Sequence, residues 1–347
     1  MQLYNKHSAK ERARIIDENS QERITLSFYK YFKLGNPSLF RDYLFIVLSK
    51  LDVLGRIYVA NEGINAQISV PTENYNKFNK SIKDISPLNG IRLNIAVQQY
   101  NKSFLKLTVK VRKKIVADGL DDQSFDVTKI GDHLNAKEFN KMLNDKNTVC
   151  IDMRNHYESE IGFFKGAIKP DVDTFRQSLK VIDEQLEQNG KEKNYLMYCT
   201  GGIRCEKASA YLKHKGVDNV FQLEGGIIEY TRQVKKNKLK NNFLGKNFVF
   251  DERKSERISE EIVSSCHQCG APADTHVNCA NAACHLLFIQ CRKCQETMNT
   301  CCSNDCRSII QLSYEEQKAL RKGKQNSNKI FKKGRSSHIK FNQHKEG

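Results

Sequence analysis

The segment Cys199-Thr200-Gly201-Gly202-Ile203-Arg204 combines the residue types needed to hold and use an ionised sulfur. Cysteine reacts as its thiolate, and the thiolate is favoured by a nearby cation and by backbone N–H groups converging at a helix start. An apolar run, Tyr195 to Tyr198, reads as a short buried strand that delivers Cys199 to a loop made compact by Gly201 and Gly202. From about Cys205 the pattern becomes helical, with Ala208, Tyr211 and Leu212 at core-facing spacing. Strand, glycine loop and helix start together form an anion cradle. Cys199 is its expected nucleophile or sulfur carrier, and Arg204 its expected charge partner. A buried cysteine or an ordinary glycine turn would each be unremarked alone, but packing does not explain the two together followed by an arginine. Four residues separate Cys199 from Arg204, a cradle sized for a sulfur-bearing cysteine; cysteine–arginine phosphatase loops generally carry one more. The neighbouring thiol, Cys205, is expected to pack in the helix rather than to resolve a Cys199 disulfide.

A second concentration of chemistry lies near the end of the chain. Cys266, Cys269, Cys279, Cys284, Cys291, Cys294, Cys301, Cys302 and Cys306 place nine of the twelve cysteines within 41 positions. Two Cys-x2-Cys pairs have the spacing of zinc-binding turns, each contributing two thiolates to a tetrahedral site. We expect two structural zinc ions. Cys266/Cys269 with Cys291/Cys294 would hold one; Cys279, Cys284, Cys306 and either Cys301 or Cys302 would hold the other, with His276 and His285 in reserve. A segment this poor in other apolar residues would draw its folding energy from the metal. The competing reading is a reduced cluster without metal. No dinucleotide fingerprint, flavin signature or nicotinamide site stands in the sequence, and no non-haem iron triad.

Several elements must position these groups. Residues 1–22 form a polar lead-in, and residues 23–118 a first domain. There a strand at Thr25–Phe32 is followed by a helix from Pro37 with an apolar stripe through Leu44, Val47, Leu48 and Leu51. Strands at Gly55–Ala60 and Ile64–Val70 flank Asn61-Glu62-Gly63, read as a hairpin turn in preference to a set of hydrogen-bonding groups, Glu62 between Asn61 and Asn65, presented to a base or sugar. A helix at Thr72–Ile85 and a strand at Arg92–Val97 complete a βαββαβ order. That order predicts a ferredoxin-like α+β sandwich, with helices on one face of an antiparallel sheet. Phe104–Val116 reads as a long strand with interleaved basic residues, suited to a phosphate backbone or to a charge-protected edge. A polar linker at Gly119–Thr128 leads into an α/β domain over 126–234. Here Asn135 can cap a helix, Thr148–Met153 is a buried strand containing Cys150, and Asp152 and Arg154 can pair to support the loop that follows. Alternating strands and helices predict a parallel sheet with ligands at the strands' carboxyl ends, where Cys199 falls. Residues 235–314 comprise a basic linker and the cysteine-rich region, and 315–347 a basic tail expected to be disordered.

The chain has 347 residues, 57 Lys+Arg against 40 Asp+Glu and a formal charge of +17. That excess favours a polyanionic partner, nucleic acid before a membrane surface. From Lys318 onward ten Lys/Arg face the single acid Glu346, a composition that holds RNA non-specifically and releases it with salt. The polar opening sequence and the absence of any long apolar run predict a cytoplasmic protein with reduced thiols.

The loop Cys199–Arg204 resembles the active loop of a rhodanese domain, whose cysteine carries a persulfide. Two flanks share the likeness: Val149-Cys-Ile-Asp152-Met-Arg154 with Glu158, and Gly216 to Gly225-Gly226. With Tyr58-Val-Ala-Asn-Glu-Gly-Ile-Asn65, Tyr198–Lys207 and the cysteine cluster added, nearly the whole chain resembles the rhodanese-like tRNA uridine hydroxylases. The resemblance implies oxygen-dependent conversion of the wobble uridine to 5-hydroxyuridine, with Cys199 essential. It also implies tRNA, bound at its anticodon region, as partner and molecular oxygen as co-substrate. An unidentified reductant would supply electrons, and oligomeric state is left open. A rhodanese-type sulfurtransferase and a non-enzymatic RNA-binding protein are the alternatives.

Overall fold

The computed structural model describes residues 3–120 and 126–322. The chain divides into two units. The first comprises residues up to Arg154, Gly166–Asn242 and Val249–Glu256; the second comprises Asn155–Lys165, Phe243–Phe248 and the chain from Arg257.

The polar lead-in contains a helix, α1 (Ala9–Glu18). Ser8 and Glu11 form a reciprocal capping box that starts it, and Ile16 buries its apolar side. Next come β1 (Arg23–Tyr31), α2 (Pro37–Lys50), β2 (Leu54–Ala60), β3 (Gly63–Pro71), α3 (Tyr75–Asp84), β4 (Asn94–Ile95) and β5 (Leu107–Val111). The sheet order β4-β1-β3-β2-β5 is the ferredoxin-like arrangement with one strand added. That strand, β5, runs parallel to β2 at the edge and is shorter than the expected 104–116. The expected strand at 92–97 likewise pairs only over two residues.

Period-two alternation divides this sheet into two faces. Leu26 and Phe28 of β1, Ile57 and Val59 of β2, and Ile64, Ala66 and Ile68 of β3 point one way. They pack with Leu44 and Leu48 of α2 and Phe78 and Ile82 of α3 into one buried cluster. Full burial of each such side chain contributes about 1.5–3 kcal/mol. The alternate residues Ser27, Tyr29, Arg56, Tyr58, Asn65 and Gln67 therefore occupy the opposite face.

The α/β layer opens with β6 (Asp132–Leu134) and α4 (Ala136–Leu143), where Asn135 caps as expected by accepting from the amides of Lys137 and Glu138. Then follows β7 (Thr148–Asp152). The chain next supplies α5 (His156–Ser159) and β8 (Gly162–Phe164) to the second unit. It continues with α6 (Phe175–Asn189), β9 (Asn194–Tyr198), α7 (Ile203–His214), β10 (Val220–Leu223) and α8 (Gly226–Asn237). The sheet is β6-β10-β9-β7, parallel throughout. Strand β9, buried from Tyr195 to Tyr198, sits between β10 and β7, which fixes the point where Cys199 leaves the sheet. Helix α8 extends through Lys235 and Lys236 to Asn237, so the basic stretch expected to be linker from 235 is partly helical.

The second unit adds β11 (Phe243–Phe248), antiparallel to β8. After β12 (Ser255–Arg257) come the hairpin β13 (His276–Asn278) and β14 (Leu287–Ile289), then α9 (Arg292–Thr297), α10 (Asn304–Ile310) and α11 (Tyr314–Arg321). Helix α11 starts from a Ser313–Glu316 capping box, so the tail expected to be disordered from 315 is helical to Arg321. Its remainder from 323, like residues 121–125 of the expected linker, lies outside the described residues. No helix among the described residues is long and apolar enough to cross a membrane.

Within the first unit one buried ion cluster ties the ferredoxin-like sheet to α7. Lys207 Nζ reaches Glu62 at 2.8 Å, the Asp118 carboxylate, and the Val116 carbonyl at 2.9 Å. The Lys207 and Asp118 side chains are each 1% exposed. Glu62 is thus more than the hairpin turn expected for it: its carboxylate also accepts from the Ile115 amide at 2.6 Å. Burial alone would raise the Asp118 carboxyl, but Lys114 and Lys207 bring it below the usual range. Removing one partner of such a cluster strands the others. Lys207→Met should therefore lower unfolding free energy by about 3–5 kcal/mol in urea denaturation, and adding Glu62→Gln and Asp118→Asn should recover most of that loss.

Candidate active site

Cys199 follows the last residue of β9, and the loop Thr200–Gly202 turns directly into α7. Gly202, the residue capping this helix, has φ 104°, a conformation glycine adopts without strain. A Cβ there would also stand 2.6 Å from the Tyr29 hydroxyl. From behind, the carbonyls of Cys199 and Thr200 accept from the amides of Ile227 and Ile228 at the start of α8. A side chain at Gly226 would lie 2.5 Å from the Cys199 carbonyl. The double glycine is thus the surface on which the loop rests.

The Cys199 sulfur accepts from the Gly202 amide at 3.1 Å. Burial opposes its ionisation. The Cys205 thiol donates to it, the Arg204 charge and the amides of Arg204 and Gly202 add to that, and together they bring Cys199 down to about 6. The same arrangement holds Cys205 protonated: burial first, then its bond to Cys199, pushes its own thiol well up. Cys205 packs in the core with Ala208 and Leu212, as expected, and is in addition a hydrogen-bond donor to the site.

Cys199 is 0% exposed, yet it borders a cavity rather than a sealed apolar interior. It lines a cavity of about 310 Å³ together with Thr200, Gly201, Ile203 and Arg204. The opposite wall is the polar face of the ferredoxin-like sheet, including Ser27, Tyr29, Arg56, Tyr58, Asn65 and Gln67. Arg253 closes one side, its charge shared with Asp251 and Glu256. This volume lies in the range of cavities that take small molecules.

Asp152 and Arg154 do not reach the cavity. Both are fully buried and pair through several hydrogen bonds, among them Nε to Oδ1 at 2.9 Å and the Arg154 terminal nitrogen to Oδ2 at 2.6 Å. Asp152 lies beside Tyr198 in register, and the Arg154 guanidinium is 5.7 Å from the Tyr198 ring. Their work is to brace the strand end from which Cys199 emerges. Glu158 caps α5 by accepting from the Asn155 amide.

In the second unit the cysteines separate into two groups of four, Cys266/Cys269/Cys291/Cys294 and Cys279/Cys284/Cys302/Cys306, whose sulfurs lie within 4.8 Å of one another. Sulfur separations of 3.6 Å for Cys269–Cys291, 3.6 Å for Cys284–Cys302 and 3.7 Å for Cys302–Cys306 match the roughly 3.8 Å edge of a tetrahedron with metal–sulfur bonds near 2.3 Å. Each group could hold a metal ion. Cys301 belongs to neither. It is fully buried beside Leu286, Phe288 and Cys302 and its thiol bonds Cys279, but of the two adjacent cysteines it is the Cys302 sulfur that converges with those of Cys279, Cys284 and Cys306. His276 and His285 are outside both groups as well.

Residues 23–115 match the UPF0176 acylphosphatase like domain, 135–233 the Rhodanese-like domain and 244–307 the Rhodanase C-terminal model. A tRNA uridine(34) hydroxylase of Hamiltonella defensa is 54% identical over 317 residues, covering 91% of this chain and 89% of the relative. One from Photorhabdus laumondii is 51% identical, covering 96% and 95%. A third, from Leptospira interrogans, is 51% identical over 96% of this chain and 90% of its own. The chain belongs to the tRNA uridine(34) hydroxylase family.

In this member of the hydroxylase family, the residues facing Cys199 across the cavity come from the ferredoxin-like sheet, far from the motif in sequence. Period-two polar alternation in β1, β2 and β3 was the signal that could have found them. A second group had no comparable signal: Glu206, directly after Cys205, accepts from Tyr29 at 3.0 Å and bonds His133 at 3.1 Å. That hydrogen bond to Glu206 raises the His133 pKa above the ordinary histidine value. Burial, with Glu206 next, pushes the Tyr29 phenol well up, keeping it a proton donor.

Proposed function

We infer that this protein hydroxylates the wobble uridine of tRNA at C5, using dioxygen, with Cys199 as the nucleophile. The observation that carries the reading is Cys199, its sulfur held by the Gly202 amide, lining a cavity whose far wall is polar and includes Arg56. A base buried in a duplex or a stacked loop must be turned out to meet such a sulfur. The cavity suits a single base, while the overall charge of +17 draws in the phosphate backbone.

Addition of the Cys199 thiolate to C6 of uracil makes C5 electron-rich. C5 then takes one oxygen atom, loses its proton, and expels the thiolate from C6 to restore the double bond. The other oxygen atom leaves as water, which requires two protons and two electrons from an external reductant. Arg204 and the loop amides stabilise the negative charge that develops and returns to sulfur. The uridine is carried by tRNA, engaged through its anticodon region, in the cytoplasm.

We further propose that the two four-cysteine groups bind zinc. Four thiolates in a tetrahedron form a closed structural site, with no open position for a reacting ligand, so zinc here holds the second unit together and takes no part in the reaction.

Two outcomes follow. Nucleoside mass spectrometry of tRNA incubated with the protein under 18O2 should show 5-hydroxyuridine carrying one 18O atom, and Cys199→Ser should reduce it at least a thousandfold. Undiminished product from the variant would reject the nucleophile, and anaerobic thiocyanate formation from thiosulfate without hydroxylation would favour the sulfurtransferase. Elemental analysis should find two zinc ions per chain in Cys301→Ser and one in Cys302→Ser; loss of an ion from Cys301→Ser would overturn the ligand assignment.

A further inference from the structure

Two oxygens on the wall of the Cys199 cavity have hydrogen-bonding capacity that the protein leaves unused. Asn94 of β4 lines the cavity and is 2% exposed. Its Nδ2 donates to the Gly201 carbonyl at 3.4 Å, but its Oδ1 has no partner among the described residues. Thr200, the residue next to Cys199, lines the same cavity, and its Oγ1 is also without a partner among the described residues. Buried polar atoms are seldom left unsatisfied, because the cost of removing them from water is then uncompensated. Two of them on one cavity wall indicate a ligand that completes both.

Their chemistry narrows that ligand. Asn94 Oδ1 can only accept, so the atom facing it must be a donor. The Asn94 carboxamide cannot turn over to offer its N–H groups without breaking the bond to Gly201. Thr200 Oγ1 can donate to a carbonyl. A donor flanked by carbonyl oxygens is the imide edge of uracil, N3–H between O2 and O4. Cytosine presents an acceptor at N3, which would face Asn94 Oδ1 lone pair to lone pair.

We propose that Asn94 and Thr200 read the imide edge of the substrate base, Asn94 accepting from N3–H and Thr200 donating to an adjacent carbonyl. Asn94 thereby rejects cytosine. The assignment rests on uridine being the substrate. It makes Asn94 a specificity-determining residue supplied by the ferredoxin-like sheet, positioned by its bond to the loop that holds Cys199. Because the loop carbonyl at Gly201 sets the carboxamide's orientation, base identity and the reactive sulfur share one rigid reference.

The test measures binding, so it does not depend on turnover. Anticodon stem-loops carrying uridine, 3-methyluridine or cytidine at the wobble position would be titrated against the full-length protein. The wild type should bind uridine roughly ten- to a hundredfold more tightly than either analogue, the scale of discrimination expected for base-edge hydrogen bonds. Asn94→Leu should bind all three alike, at the wild type's weaker level, and Thr200→Val should weaken uridine binding by a smaller factor. The 3-methyluridine comparison needs no variant and holds even if Asn94→Leu fails to fold. Equal wild-type affinity for uridine and 3-methyluridine would overturn the proposal, as would uridine preference persisting in a folded Asn94→Leu.

Discussion

Everything at the Cys199 site depends on keeping a negative charge on a sulfur that the fold has buried. Burial alone would hold the thiol neutral and inert. The fold overcomes this with groups that all lie within the first turn of one helix. Gly202 and Arg204 supply amides, Arg204 supplies a cation, and Cys205 supplies a thiol that stays protonated because it is itself buried. The placement requires a central parallel strand to fix where the chain exits, and a backbone without side chains at Gly202 and Gly226 so that strand end, loop and two helix starts can converge. Asp152 and Arg154 brace the neighbouring strand end against the same point.

A charged sulfur alone does not select a substrate. The opposing wall comes from the polar face of an otherwise conventional sandwich, whose apolar face is fully occupied by its own helices. The two layers are held in register by Lys207 between Glu62 and Asp118. A buried ionic cluster of this kind adds little net stability over an apolar replacement, yet it penalises any misplaced partner severely. Its position is suited to fixing one wall of the cavity against the other, since Lys207 lies on the same helix as Arg204 and Glu206. Reactive loop, bracing ion cluster and the Tyr29–Glu206–His133 group thus all depend on α7.

Much of this was readable from residue order. The strand–loop–helix around Cys199, the capping residue Asn135 and the two Cys-x2-Cys pairs are local features, set by patterns spanning a few residues. The βαββαβ order was legible for the same reason, since its periodicities are strong. What escaped the sequence was non-local. Nothing near Glu62 says that its carboxylate will meet Lys207, 145 positions away, so a turn was the natural reading. Between Cys301 and Cys302 the choice depends on which sulfur converges with those of Cys279, Cys284 and Cys306, and spacing cannot supply that. Helix α11 is the exception, a local feature overlooked: its Ser313–Glu316 capping box stands in a stretch whose basic composition was read as disorder.

The most direct test of the ionised sulfur is the pH dependence of Cys199 carboxymethylation in the native protein, followed peptide by peptide with mass spectrometry. Because the folded state lowers the pKa, the thiolate forms early. The rate should rise to half its maximum near pH 6 and remain level above that, while Cys205 stays unmodified throughout. A Cys199 rate that instead keeps climbing through pH 9, the region of an ordinary thiol, would contradict the account.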